Sequence, residues 1–232
     1  MNVVKKYLRY FTLFEILLWT LSVGAVLACH IGFRSTGYLT LTASLVGVTS
    51  LIFCAKGNPA GQVLMIIFSL LYGVISYNAR YYGEMITYMG MTAPMAVLSL
   101  IAWIKNPYKG NKSEVAVGHV TKRSLQSMVL LTAAVTVTSY FLLKMLGTAS
   151  LVPSTLSVAT SFAAAYLTYL RSPFFALAYA ANDIVLIVLW VLAASHDPSA
   201  VSTAVCFTVF FANDVYGYVS WWRMRKRQSK NI

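Results

Sequence analysis

Two Asn-Asp dipeptides, Asn182-Asp183 and Asn213-Asp214, stand inside apolar runs long enough to cross a membrane. A carboxylate in hydrocarbon costs about 2.5–3.5 kcal/mol on insertion scales, so such a residue faces a partner or a wet cavity. At 1.5 Å per residue, Asn182 and Asp183 fall about 14 Å into their helix, near the bilayer centre. Helical spacing puts Tyr179, Asp183, Leu186 and Trp190 on one face, with Asn182 about 100° around. Two aromatic surfaces flanking a carboxylate suit a flat or cationic ligand, through stacking, cation–π contact and charge pairing. On the last helix Phe210, Asn213 and Gly217 share another face, the glycine leaving room for close packing or a ligand. The competing reading is a scaffold in which Asn182, Asp183, Asn213 and Asp214 bond one another, at about 0.6 kcal/mol per contact. Two carboxylates are a costly choice for scaffold alone, which favours a binding site.

Further polar side chains at membrane depth extend the candidate site. Ser69 and Tyr72 in one helix, and Thr87, Tyr88 and Thr92 in another, are placed to complete a pocket, although a helical Thr often bonds its own backbone. Gln62, near a helix end, is either a gate or ligand contact or a solvated terminus. Pro94 should bend its helix and free a carbonyl. Tyr77, Tyr81 and Tyr82 read as interfacial belt residues, Trp221 and Trp222 as interface anchors, and Glu84 with Arg80 as a surface pair.

No metal or cofactor site is expected. Cys29, Cys54 and Cys206 are odd in number and lie inside apolar runs, where they pack as small apolar residues; His30, His119 and His196 show no ligand spacing. No catalytic set emerges either, since no His, Lys or Glu falls near the midplane. Two Asp would serve an aspartyl mechanism only if their helices faced each other. A retinal receptor is excluded because 200–222 contains no Lys.

The elements that position these residues are eight apolar runs, at 12–30, 37–55, 59–78, 84–104, 125–147, 154–170, 173–194 and 200–222. Each approaches the ~20 residues that span a bilayer. With 59% hydrophobic and 10% charged residues and a mean hydropathy of +0.70, the chain reads as an all-α integral membrane protein. Its net charge of +12 falls mostly on one side: Lys5, Lys6, Arg9, Lys56, Lys105, Lys109, Lys112, Lys122, Arg123, Arg171 and the tail Arg223–Lys230, against Arg34, Arg80 and Lys144 on the other. The positive-inside rule then puts both termini in the cytoplasm, and lipid headgroups rather than nucleic acid face the basic loops. The start of the chain loosely imitates a lipoprotein signal, but Leu27 before Ala28-Cys29 weighs against cleavage.

The polar stretch 105–123 divides the chain. On each side a helix ends in a basic residue and the next opens at a proline, Lys56 before Pro59 and Arg171 before Pro173. Helix directions give a 3+1+3 parallel repeat preceded by one helix: an N-terminal region 1–36, a first repeat 37–104, a loop and linker helix 105–153, a second repeat 154–222 and a basic tail 223–232. Such repeats suit a transporter with its site between the halves.

The segments Ala55-Lys56-Gly57-Asn58-Pro59-Ala60-Gly61-Gln62, Tyr81-Tyr82-Gly83-Glu84-Met85-Ile86-Thr87-Tyr88, Asn182-Asp183-Ile184-Val185-Leu186 and Asn213-Asp214-Val215-Tyr216-Gly217-Tyr218 resemble the PnuC family of nicotinamide riboside transporters, especially those of Gram-positive bacteria. The resemblance covers roughly 37–225. It implies a homotrimer of independent pores in a bacterial plasma membrane, taking up a vitamin precursor by facilitated diffusion, with a cytoplasmic riboside kinase trapping the substrate. It also implies that substrate meets a Trp four residues before an Asn. Here Tyr179 and Asp183 hold that spacing. A carboxylate there suits the cationic nicotinamide ring, and equally thiamin, which related branches carry. Coupling to protons through Asp183 or Asp214 is the nearer mechanistic alternative.

Overall fold

The computed structural model describes residues 10–32, 37–148, 150–198 and 200–230. Lys5, Lys6, Arg9 and Arg34, which entered the charge argument, lie outside them. Eight helices among the described residues are long and apolar enough to span a membrane. They are α1 (Leu13–Gly32), α2 (Tyr38–Ala55), α3 (Ala60–Asn78), α4 (Tyr82–Lys105), α5 (Lys122–Met145), α6 (Leu151–Tyr169), α7 (Phe174–Ala194) and α8 (Ala200–Ser229). The chain is a multi-pass membrane protein. Helices α2, α3 and α4 pack in succession, as do α6, α7 and α8, and the two groups meet through α4 against α6 and α8 against α2.

The turns α2–α3 and α6–α7 share a backbone path. Gly57 (φ 66°) and Arg171 (φ 56°) take left-handed conformations at matching positions, and Pro59 and Pro173 then start the next helices at φ −55° and −54°. Proline there gives up no hydrogen bond, because the first N–H groups of a helix lack intrahelical partners. A left-handed turn strains Arg171 by about 1–2 kcal/mol, whereas Gly57 adopts it freely.

Between α4 and α5 the polar stretch forms a β-hairpin, β1 (Pro107–Tyr108) with β2 (Asn111–Val115), where an irregular loop was expected. Lys109 and Gly110, both at positive φ, make its two-residue turn, the conformation that matches strand twist. The hairpin straps both groups of helices: Val115 N–H donates to Gly57 O and Gly118 N–H to Arg171 O, each at 2.9 Å. Gln228 completes the strap, accepting from Val117 N–H at 2.8 Å and donating to Val115 O at 3.1 Å. It is within reach because α8 runs on to Ser229, past the expected end at 222.

Within α4, residues Ile86–Thr92 form a π-helix that ends just before Pro94. Widening the helix is a local answer to the missing proline N–H. Trp221 departs from expectation. Trp103 and Trp221 are 0% exposed and pack together in the core, while Trp222, 37% exposed, keeps an interfacial position. Trp221 is buried because α8 turns that face toward α2. Helix α1 joins the core along one stripe, Glu15, Ser22, Val26 and Cys29, packed on α2 and α8. Helix α5 buries Leu143 and leaves most of its apolar surface uncovered.

Candidate functional site

Helices α2–α4 and α6–α8 each contribute to a closed cavity of about 20 Å³, room for one water. Leu51 comes from α2, Met65 and Phe68 from α3, Tyr88 and Thr92 from α4, and Ser161 from α6; α7 supplies Tyr179, Asn182 and Asp183, and α8 supplies Phe210 and Asp214. The two Asn-Asp dipeptides meet here through their carboxyls: Asp183 and Asp214 lie side by side, both buried. Asp183 Oδ2 has no hydrogen-bond partner among the described residues. A buried carboxylate oxygen left open on a cavity wall is a receptor for a cation or a donor.

Each asparagine turns about 100° from its neighbouring aspartate and serves another contact. Asn182 Oδ1 accepts from Thr160 Oγ1 at 2.8 Å and Ser161 Oγ at 3.0 Å, which locks α7 to α6. Its side chain still edges the cavity. Asn213 faces α1, donating to Ser22 Oγ at 2.9 Å and Val209 O at 2.8 Å, and does not line the cavity.

Aromatic rings close both ends. Toward the end opposite the hairpin, Phe68 stacks on Tyr72 with centroids 5.6 Å apart, and Tyr72 meets Tyr88 edge-on at 4.4 Å. Trp190 Nε1 donates to the Tyr72 hydroxyl, which places both residues one layer beyond the cavity. Toward the hairpin, Tyr179 leans on Phe175 at 6.3 Å, and Phe175 meets Trp221 at 4.9 Å. Ligand pockets enclose some 300–1,000 Å³, so this is an occluded arrangement that must open to admit one.

Of the residues picked from sequence, Tyr88, Thr92, Tyr179, Asn182, Asp183, Phe210 and Asp214 come together on the cavity. Gln62 lies toward the hairpin, its Nε2 donating to Cys54 Sγ at 3.4 Å. Ser69 Oγ bonds its own helix at Met65 O, 2.8 Å away. Thr87 lines a separate apolar groove between α4 and α5, beside Pro94, Val135 and Ser139. Leu51, Met65, Phe68 and Ser161 were not anticipated. A usable signal for Ser161 was the stripe Ser154, Ser157, Ser161 at helical spacing, polar residues that a lipid-facing side would not carry.

Glu84 corrects the sequence reading. It is 0% exposed and bonds Ser157 of α6 rather than pairing with Arg80 at the surface. Tyr82 starts α4 close against α6, so the first turn of the helix, and Glu84 with it, is covered. Cys29, Cys54 and Cys206 are free and buried. Among the described residues no three His, Cys, Asp or Glu side chains cluster as metal ligands.

The profile of the family described as nicotinamide mononucleotide transporter matches residues 37–223. The chain is 26% identical to the nicotinamide riboside transporter PnuC of Neisseria mucosa over 215 residues, covering 91% of this chain and 82% of that protein. It is 21% identical over 191 residues to the protein of the same name from Haemophilus influenzae, covering 82% and 81%. Among solved structures, the crystal structure of the vitamin B3 transporter PnuC superposes with a TM-score of 0.81, at 23% identity and over 94% of each chain.

Proposed function

Because the chain belongs to the nicotinamide mononucleotide transporter family, we propose that it takes up nicotinamide riboside across a bacterial plasma membrane. The observation that carries this reading is the Asp183–Asp214 pair in an aromatic-walled cavity. A pyridinium ring is flat and positive: Phe68, Tyr88, Tyr179 and Phe210 offer faces and edges to it, and the carboxylates offer charge. Asn182 and the hydroxyls of Thr92 and Ser161 suit the ribose. In this reading Tyr72, Trp190 and Gln62 act at the gates, while Ser69 and Asn213 support the surrounding helices.

Substrate moves by alternating access. The exchange of contacts between the groups, α4 with α6 and α8 with α2, fits a parallel repeat with an axis along the membrane normal. Lys56, Arg171 and the basic end of α8 lie toward the hairpin end, and this charge bias supports a cytoplasmic hairpin. The net flux is facilitated diffusion, and a cytoplasmic kinase makes it inward by phosphorylating the product. The protein acts as a transporter and not as an enzyme. Three copies assemble in the membrane, with the uncovered face of α5 meeting lipid or a neighbour.

Thiamin is the second reading, favoured by Asp183 at a position where the family pattern has Asn. Reconstituted protein should equilibrate labelled nicotinamide riboside across vesicles without a pH gradient. Uptake of thiamin in its place would move the substrate, and uptake only with an imposed proton gradient would replace facilitated diffusion by symport.

A further inference from the structure

Glu84 is fully buried, yet the protein does little to satisfy it. Ser157 Oγ donates to Oε2 at 3.5 Å, the limit of a hydrogen bond, and Oε1 has no partner among the described residues. Two nearby hydroxyls share this condition: Thr87 Oγ1, one turn along α4, and Ser154 Oγ, one turn along α6 from Ser157 and on the helix face that meets Gly83. Among the described residues no Lys, Arg or His pairs with Glu84. Each buried polar group left unsatisfied costs about 1–3 kcal/mol, so a carboxyl and two hydroxyls left open together call for a partner the protein does not supply.

The position of Glu84 indicates which partner. Tyr88 is one turn from Glu84 on α4, lines the cavity, and lies within electrostatic range of both Glu84 and Asp183. Tyr72, across from Tyr88, is likewise close to Glu84. The order along the bundle is therefore one carboxylate, an aromatic layer, then the carboxylate pair.

Building on the riboside reading, we propose that Glu84, with Thr87, Ser154 and Ser157, forms an outer receiving subsite for a cationic ribosyl ring. When the end opposite the hairpin opens and water reaches Glu84, its carboxyl ionises and draws the positive ring to the aromatic layer, and the hydroxyls meet the ribose diol. Tyr72 and Tyr88 then part, and the ring passes to Asp183. Two carboxylates separated by aromatic faces give a cation successive stations of similar chemistry.

The test compares two ribosides of nearly the same shape in proteoliposomes: nicotinamide riboside, whose ring is cationic, and its dihydro form, whose ring is neutral. Glu84→Gln should raise KM for the cationic riboside about 5-fold, the size of one solvated charge pair, with maximal rate within about 2-fold. KM for the neutral form should not change, and Glu84→Asp should keep the preference for charge. Equal shifts for both ribosides, or no shift for either, would overturn the subsite. Should the Gln variant fail to fold, wild-type protein still decides: its KM for the cationic form alone should rise with external salt, and salt-independent KM contradicts the proposal. If wild-type protein carries neither riboside, the transport reading itself fails; if it carries the cation and Glu84→Gln behaves as wild type, only the subsite fails.

Discussion

Trp103 and Trp221 pack with ring centroids 5.3 Å apart and their planes tilted by 49°, and their indole N–H groups make a reciprocal exchange. Trp103 Nε1 donates to Thr168 O at 3.1 Å, and Trp221 Nε1 donates to Cys54 O at 2.8 Å. Each acceptor lies three residues before the left-handed turn residue of its own group of helices, Arg171 or Gly57. The pair thus pins each group to the turn of the other at the hairpin end.

Replacing either ring by Phe keeps most of the packing and removes one buried hydrogen bond, while Thr168 O keeps the Arg171 N–H and Cys54 O keeps the Gly57 N–H. Trp103→Phe and Trp221→Phe should each lose about 0.5–1.5 kcal/mol, read as a lower unfolding midpoint in detergent. Because the rings touch, the double variant should depart from the sum of the two. Strict additivity would mean that the indoles act separately.

The cavity carboxylates should discriminate by charge. Asp183→Asn keeps size and hydrogen bonding while removing a charge, so affinity for nicotinamide riboside should fall at least about tenfold. A neutral nucleoside that binds at all should be unaffected. Unchanged riboside affinity would remove Asp183 from the site.

Two glycines should respond in opposite ways to alanine. A Cβ on Gly61 would sit 2.6 Å from Cys54 Sγ and 2.7 Å from the Cys54 backbone nitrogen, so α2 and α3 would have to move apart. Gly61→Ala should therefore destabilise by about 1–3 kcal/mol. Gly24 has nothing within 4 Å of that position, and Gly24→Ala should be neutral or stabilise by up to about 1 kcal/mol. Thermal unfolding of the two purified variants compares them directly.

Gln228 joins the end of α8 to the hairpin. Gln228→Ala removes its bonds to Val115 and Val117, so amides 115–118 should exchange with deuterium faster while the helix interiors stay protected. Unchanged exchange at those amides would show that the bonds to Gly57 and Arg171 hold the strap without it.

Much of this arrangement was legible in the residues. Length and apolarity mark the eight helices, and a basic residue shortly before a proline marks the two matching turns. Asp183 and Asp214 announce themselves because carboxylates are rare at membrane depth. Direction was harder to read. Asn213 sits beside a site residue yet turns to Ser22, because only tertiary packing decides which of two neighbouring helix faces meets α1. Trp103 and Trp221, each two residues before a cation, have the local pattern of interface anchors, and their burial depends on contacts between distant segments. Glu84 misled for the same reason: Arg80 is near in sequence, whereas Ser157 comes from another helix. The hairpin turn Lys109-Gly110 lacks the Asn-Gly or Asp-Gly signature that makes such turns conspicuous.

Titration calorimetry on the detergent-solubilised protein tests the central claim most directly, with nicotinamide riboside, nicotinamide mononucleotide, thiamin and a neutral nucleoside offered in turn. Saturable binding of the riboside, stronger than any of the other three, is the predicted result, because the mononucleotide adds a phosphate that the carboxylate pair repels. Binding of thiamin alone, or of the mononucleotide in preference to the riboside, would contradict the account.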